Sequence, residues 1–168
     1  SKDEYDRIWA STQNGVTLID GSKIIKFGSD SGLPASDIIK TIHFNNETYV
    51  ATANKGLFKL VNNHFQKTKI IKGSVIYTIE IIDEKIFIST NLENITFDGD
   101  NVSFMGYGFP NTRVVDTYFN NGKTFYASID KIIEEKNDGY VAYKIEFPND
   151  KTNIQTLLFD GEIEYIGT

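Results

Sequence analysis

One four-residue pattern returns five times along this chain: Trp9 Ala10 Ser11 Thr12, Tyr49 Val50 Ala51 Thr52, Phe87 Ile88 Ser89 Thr90, Phe125 Tyr126 Ala127 Ser128 and Tyr165 Ile166 Gly167 Thr168. The intervals are 40, 38, 38 and 40 residues. The first column is always aromatic, although aromatic residues make up only 13% of the sequence; the third is always small and the fourth always bears a hydroxyl. A fixed period of this length marks a structural unit stacked on copies of itself. Residues two apart on a strand share a face, so each unit presents a large and a small side chain on the same side of a sheet. Where two such sheets meet, the pattern predicts that the aromatic of one fills the space above the small residue of its neighbour.

Turn-forming clusters divide each period at two places. Asn45 Asn46, Asp83 Glu84, Asn120 Asn121 Gly122 and Asp160 Gly161 precede the aromatic column, and Asp20 Gly21, Asn62 Asn63, Asp98 Gly99 and Asn137 Asp138 Gly139 follow it. Each can supply the positive φ of a tight hairpin. Four strands per period result: 37–44, 48–52, 56–61 and 64–68 in one unit, further complete units near 74–106 and 113–146, and incomplete units at both ends. The segments are short and rich in Ile, Val, Thr, Tyr and Phe, which disfavours helix. The predicted fold class is all-β: four-stranded antiparallel blades of a β-propeller, about four repeats, as part of a larger propeller. Residues 1–168 form a single propeller region with repeats at about 8–47, 48–84, 85–122 and 123–161 and a partial repeat at 162–168. A β-sandwich uses similar strands and turns but does not require one motif five times.

The chain opens and closes on the second strand of the repeat, and a closed ring would not duplicate that strand. Four blades can close alone, yet this register predicts a piece of a longer propeller or ends that pair with another copy. Self-association through blade faces or edges is expected, because unpaired backbone and bare apolar surface are costly in water.

The chemistry on offer is narrow. A net charge of -6 and a pI near 4.9 repel a phosphate backbone, and no basic cluster offsets them, so nucleic acid is not an expected partner. No apolar run approaches the roughly 20 residues that cross a bilayer, so membrane contact by this chain itself is not expected either. Cysteine is absent, which removes disulfides and thiolate sites. His43 and His64 fall on an inner and an outer strand, which argues against a shared metal. Asp98 Gly99 Asp100 opens like a calcium loop, but Val102 stands where an oxygen ligand is needed, so it is a hairpin turn. No nucleophile elbow is present. Paired carboxylates are the one catalytic option, Asp116 being the acid most suited to face a central channel; an Arg113–Asp116 ion pair is the structural alternative.

No catalytic residue, metal or cofactor is therefore expected. The candidate ligand-binding residues are Tyr107, Phe109, Asn111, Arg113 and Asp116, where rings that stack on a sugar stand beside groups that bond its hydroxyls. Phe109 has a second reading, as the residue that pins the linker to its blade.

The first unit reads Ile8 Trp9 Ala10 Ser11 Thr12, Gly15 Val16, Ile19 Asp20 Gly21, Ile25 Lys26 Phe27 and Ser31 Gly32 Leu33 Pro34. It resembles the two-component regulator propeller repeat, whose Gly-Leu-Pro linker is intact at Gly32 Leu33 Pro34 and drifted at Gly108 Phe109 Pro110. Only Gly56 Leu57 keeps the family's Gly-Leu at the start of a third strand, and the likeness weakens after residue 90. The resemblance implies the sensor region of a hybrid histidine kinase, common in gut Bacteroidetes, lying in the periplasm or outside the cell and responding to carbohydrate. It implies binding without catalysis in this chain, any kinase activity residing elsewhere. A propeller enzyme acting on polysaccharide and a scaffold for protein partners are the alternatives.

Overall fold

The computed structural model describes residues 1–106, 108–120, 122–147, 153–160 and 163–167. The strands are grouped, in chain order, into five antiparallel meanders. Blade 1 holds β1 (Ile8–Thr12), β2 (Gly15–Asp20) and β3 (Lys23–Phe27). Blade 2 holds β4 (Ile38–Phe44), β5 (Glu47–Thr52), β6 (Gly56–Val61) and β7 (His64–Lys67). Blade 3 holds β8 (Ile76–Ile82), β9 (Lys85–Thr90), β10 (Asn94–Phe97) and β11 (Val102–Phe104). Blade 4 holds β12 (Val114–Asn120), β13 (Lys123–Ser128), β14 (Lys131–Lys136) and β15 (Gly139–Lys144), and blade 5 the pair β16 (Thr156–Asp160) and β17 (Ile163–Gly167). Among the described residues the helical content is one 3-10 turn at Ser29–Ser31.

Local chemistry explains the hairpins. Asn45–Asn46, Asn62–Asn63 and Asp83–Glu84 all have φ between 46° and 62°, the paired left-handed geometry that matches strand twist. The hydroxyl column closes the next turn. The Thr12 hydroxyl donates to the Gly15 carbonyl at 2.8 Å, Thr52 to Gly56 at 2.7 Å and Thr90 to Glu93 at 3.0 Å. The same oxygens accept the N–H of Asn14, Lys55 and Leu92 inside each turn. Ser128 departs from the rule, its hydroxyl bonding that of Thr112.

The first strands β4, β8, β12 and β16 lie against one another in series and form the inner edge. In β4, β8 and β12 the pairing register slips between the first and third residues, at Ile38/Lys40, Ile76/Thr78 and Val114/Asp116. A bulge at the same place in three blades bends each inner strand alike.

Blade contacts follow one rule, which corrects the packing expected from sequence. The aromatic column does face the following blade, with the small column beside it, but it meets the residue between those two columns. Trp9 shares a cluster with Val50, Tyr49 with Ile88, and the Phe87 ring lies 5.1 Å from that of Tyr126. The small column instead faces the next inner strand. The Ser11 hydroxyl bonds that of Thr41, and Ala51 packs in the cluster of Ile76 and Ile79. Alternation assigns a face, but the half-step offset between blades depends on how deeply they interlock. Each large apolar side chain buried this way contributes about 1.5–3 kcal/mol.

Blade 1 also has a rudiment of the inner strand that the sequence pattern omits. Ser1 and Trp9 exchange two backbone bonds, at 2.9 and 3.0 Å, and Lys2 bridges Ile8. Buried Asp3 closes the turn by accepting the N–H groups of Tyr5 and Arg7, the Arg7 Nε–H and the Trp9 indole N–H.

Candidate functional site

The connection from β11 to β12 holds the candidate residues. It leaves the short outer strand of blade 3, crosses to the inner edge and starts blade 4. Gly108 has φ 91° in open space, and the Phe109 N–H donates to the Gly106 carbonyl at 3.1 Å, so the chain doubles back before Pro110. The Phe109 ring then stands edge-on against Tyr126 at 5.2 Å and Tyr140 at 4.9 Å. Leu33 is buried in the corresponding linker between blades 1 and 2. Phe109 therefore pins its linker as Leu33 does, while remaining partly exposed at the edge of a hollow.

That hollow, about 390 Å³, is bordered by Lys72, Leu92, Asn94, Phe104, Phe109 and Asn111. Leu92 and Phe104 are 67% and 62% exposed, unusual for large apolar side chains, and the Lys72 ammonium lies 5.7 Å over the Phe104 ring. The Asn94 amide donates to the Thr112 carbonyl at 2.9 Å, tying blade 3 to the linker. Sequence reasoning missed Lys72, Leu92 and Phe104: Lys72 belongs to the repeat before the other two, and the three meet only when blade 3 folds.

The other two candidates point elsewhere. The Arg113 guanidinium sits 4.3 Å over the Tyr77 ring of β8. The Asp116 carboxylate accepts the Thr117 N–H, the Thr156 hydroxyl at 2.7 Å and the Leu157 N–H at 2.9 Å. Each joins blade 4 to a different neighbour. Phe109 and Asn111 thus share the hollow, Arg113 and Asp116 lie at the inner edge of the blades, and Tyr107 falls outside the described residues.

The ionisable groups nearby are largely engaged. Burial, and after it the adjacent Glu135 carboxylate, pushes the Tyr126 phenol far above its usual range, and that phenol donates to Glu135 at 3.1 Å. Glu134 is held below the usual carboxylate range, chiefly by its bond from Lys136. His43 is pulled down by burial and bonds Thr48 and Ser1, whereas His64 stands beside Gly32. Among the described residues no group of three or more His, Asp or Glu could hold a metal, and no helix is long and apolar enough to cross a membrane. The arrangement offers aromatic and aliphatic surface, two amides, the Lys72 ammonium and the Glu93 carboxylate around an open hollow, which is equipment for binding.

Serial face-to-face blades with contiguous inner strands define the fold as that of a β-propeller. Solved structures share it. The extracellular domain of BT4673 from B. thetaiotaomicron, described in one structure as a one component system and in the other as a hybrid two component system, superposes with TM-scores of 0.73 and 0.74, at 18% and 19% identity, over 97% of this chain and 25% of that one. PorZ, an essential bacterial surface component of the type-IX secretion system of Porphyromonas gingivalis, matches with a TM-score of 0.63 at 11% identity, over 95% of this chain and 24% of its own. An ancestral GH74 enzyme matches with a TM-score of 0.57 at 16% identity, over 79% of this chain and 21% of its own. This chain spans about a quarter of the length of the first two. No family model matches the sequence, and no curated protein matches it.

Proposed function

We propose that this chain is a ligand-sensing part of an extracytoplasmic propeller receptor, that its ligand is a carbohydrate, and that it binds without turnover. The observation that supports this most is the hollow at the linker between blades 3 and 4. Exposed apolar side chains, two amides, an ammonium and a carboxylate converge there on a fold shared with the extracellular domain of a hybrid two-component system. Sugars are recognised by flat apolar surfaces set among hydrogen-bonding groups. Signal output, in this reading, belongs to domains outside residues 1–168.

The test is calorimetry of the purified chain against neutral mono- and oligosaccharides, with chromatography of each sugar after prolonged incubation. Saturable binding with the sugar unchanged supports sensing. Shortening of the oligosaccharide replaces it with a polysaccharide-degrading role, the reading favoured by the fold shared with the GH74 enzyme. Binding of no sugar leaves the scaffold for protein partners.

A further inference from the structure

The second space bordered by Phe104 and Met105 is a cleft of about 530 Å³ between blades 3 and 4. The cross-strand rows show why it is there. On the face of blade 1 turned to blade 2, the row from inside to outside is Trp9, Leu18, Ile25. In blade 3 the same row is Phe87, Thr96, Ser103. Two aliphatic side chains are replaced by smaller hydroxylated ones. The opposing wall changes in the same sense, because Glu135 stands opposite Tyr140 in blade 4 where Leu60 stands opposite Phe65 in blade 2.

The junction of blades 1 and 2 is sealed by apolar packing, Phe27 meeting Phe65 edge-on at 5.5 Å. The junction of blades 3 and 4 keeps an aromatic floor in Phe87 and Tyr126 but lines its outer half with Thr96, Thr124, Glu135 and Asn137. Thr124 is buried there, Thr96 half-buried, and Glu135 and Asn137 exposed, so the wall offers hydrogen-bonding groups from its depth to its mouth. Lys85, Lys136, Asp83 and Glu135 all border the cleft, so its charges balance and a strongly charged ligand gains nothing.

The exposed Phe104 ring and the half-buried Tyr140 ring, a hydrogen-bonding wall and a charge-balanced rim suit one unit of a neutral sugar. The hollow beyond Phe104 and Met105 suits another. We propose that the cleft and the linker hollow form one continuous groove for a neutral oligosaccharide of at least two units, crossing the outer strand β11 at Phe104. This rests on the carbohydrate reading above and adds the place, the minimum length and the charge of the ligand.

The experiment compares glucose, galactose, mannose and xylose with their di- and tetrasaccharides on the wild-type chain and on three variants. Thr96→Leu restores the residue type that fills blade 1, so it closes the cleft without weakening the fold. Glu135→Gln alters the wall, and Ile24→Ser alters an exposed position on blade 1. The expected result is an oligosaccharide bound at least tenfold more tightly than its monosaccharide, with affinity lowered at least tenfold by Thr96→Leu and by Glu135→Gln and unchanged by Ile24→Ser. Thr96→Leu should unfold at the wild-type temperature or above. An oligosaccharide that binds the wild type and Thr96→Leu equally, or no tighter than its monosaccharide, overturns the groove and leaves the sensing reading standing. Binding of no sugar by the wild type overturns both.

Discussion

The Ser89 hydroxyl accepts the backbone N–H of Val114 at 3.1 Å, tying the second strand of blade 3 to the start of the inner strand of blade 4. Both residues are fully buried. Ser89→Ala leaves that N–H without this acceptor where water cannot replace it, so stability should fall by about 1–3 kcal/mol. Urea unfolding measures it, and a midpoint equal to wild type would show that the bond contributes nothing.

Ala51 occupies the same column one blade earlier and packs against the inner strand of blade 3. Ala51→Leu adds volume where Ile76 and Ile79 already fill the space, so the blades must part or a side chain must leave its preferred rotamer. The expected loss is about 1–3 kcal/mol. Thermal unfolding of the variant checks it.

Gly32 has φ 84°, and a Cβ there would stand 2.2 Å from the Phe65 carbonyl oxygen. Gly122 has φ 74° with no atom within 4 Å of its Cβ position. Alanine at either site incurs left-handed strain of about 1–2 kcal/mol, but only Gly32→Ala also forces backbone apart. Denaturation of the pair separates the two effects: Gly32→Ala should lose clearly more, and equal losses would mean that the linker yields freely.

Burial alone would raise the Asp3 carboxyl, but its bonds from Trp9, Arg7 and Tyr5 outweigh that and hold it below its ordinary 3.8. A folded value below the unfolded one means that Asp3 adds stability above about pH 4, and that this is lost as pH falls through the folded value. Urea midpoints at pH 7 and pH 3 should therefore differ less for Asp3→Asn than for wild type.

The strand plan was legible because its signals are local. Strands expected at 56–61 and 64–68 form at Gly56–Val61 and His64–Lys67, bounded by turn pairs whose geometry the residue types dictate. The stub at Ser1–Asp3 lies outside the repeat and could not be read by comparing repeats. Of the candidate residues, Phe109 could be matched to Leu33 by its linker. The partners of Arg113 and Asp116 come from blades 3 and 5, about forty residues away, and no pattern within one repeat contains them. The hollow itself arises where Val102–Phe104 ends early, and a weak outer strand has no motif.

The offset at every blade junction has a directional consequence. An aromatic column always meets an intervening column, so each blade has two unlike faces and the stack has a sense, like a screw thread. A second copy joining through a blade face would be added head to tail. Such contacts close into a ring or run on as a filament, whereas two-fold pairing requires one surface to match itself.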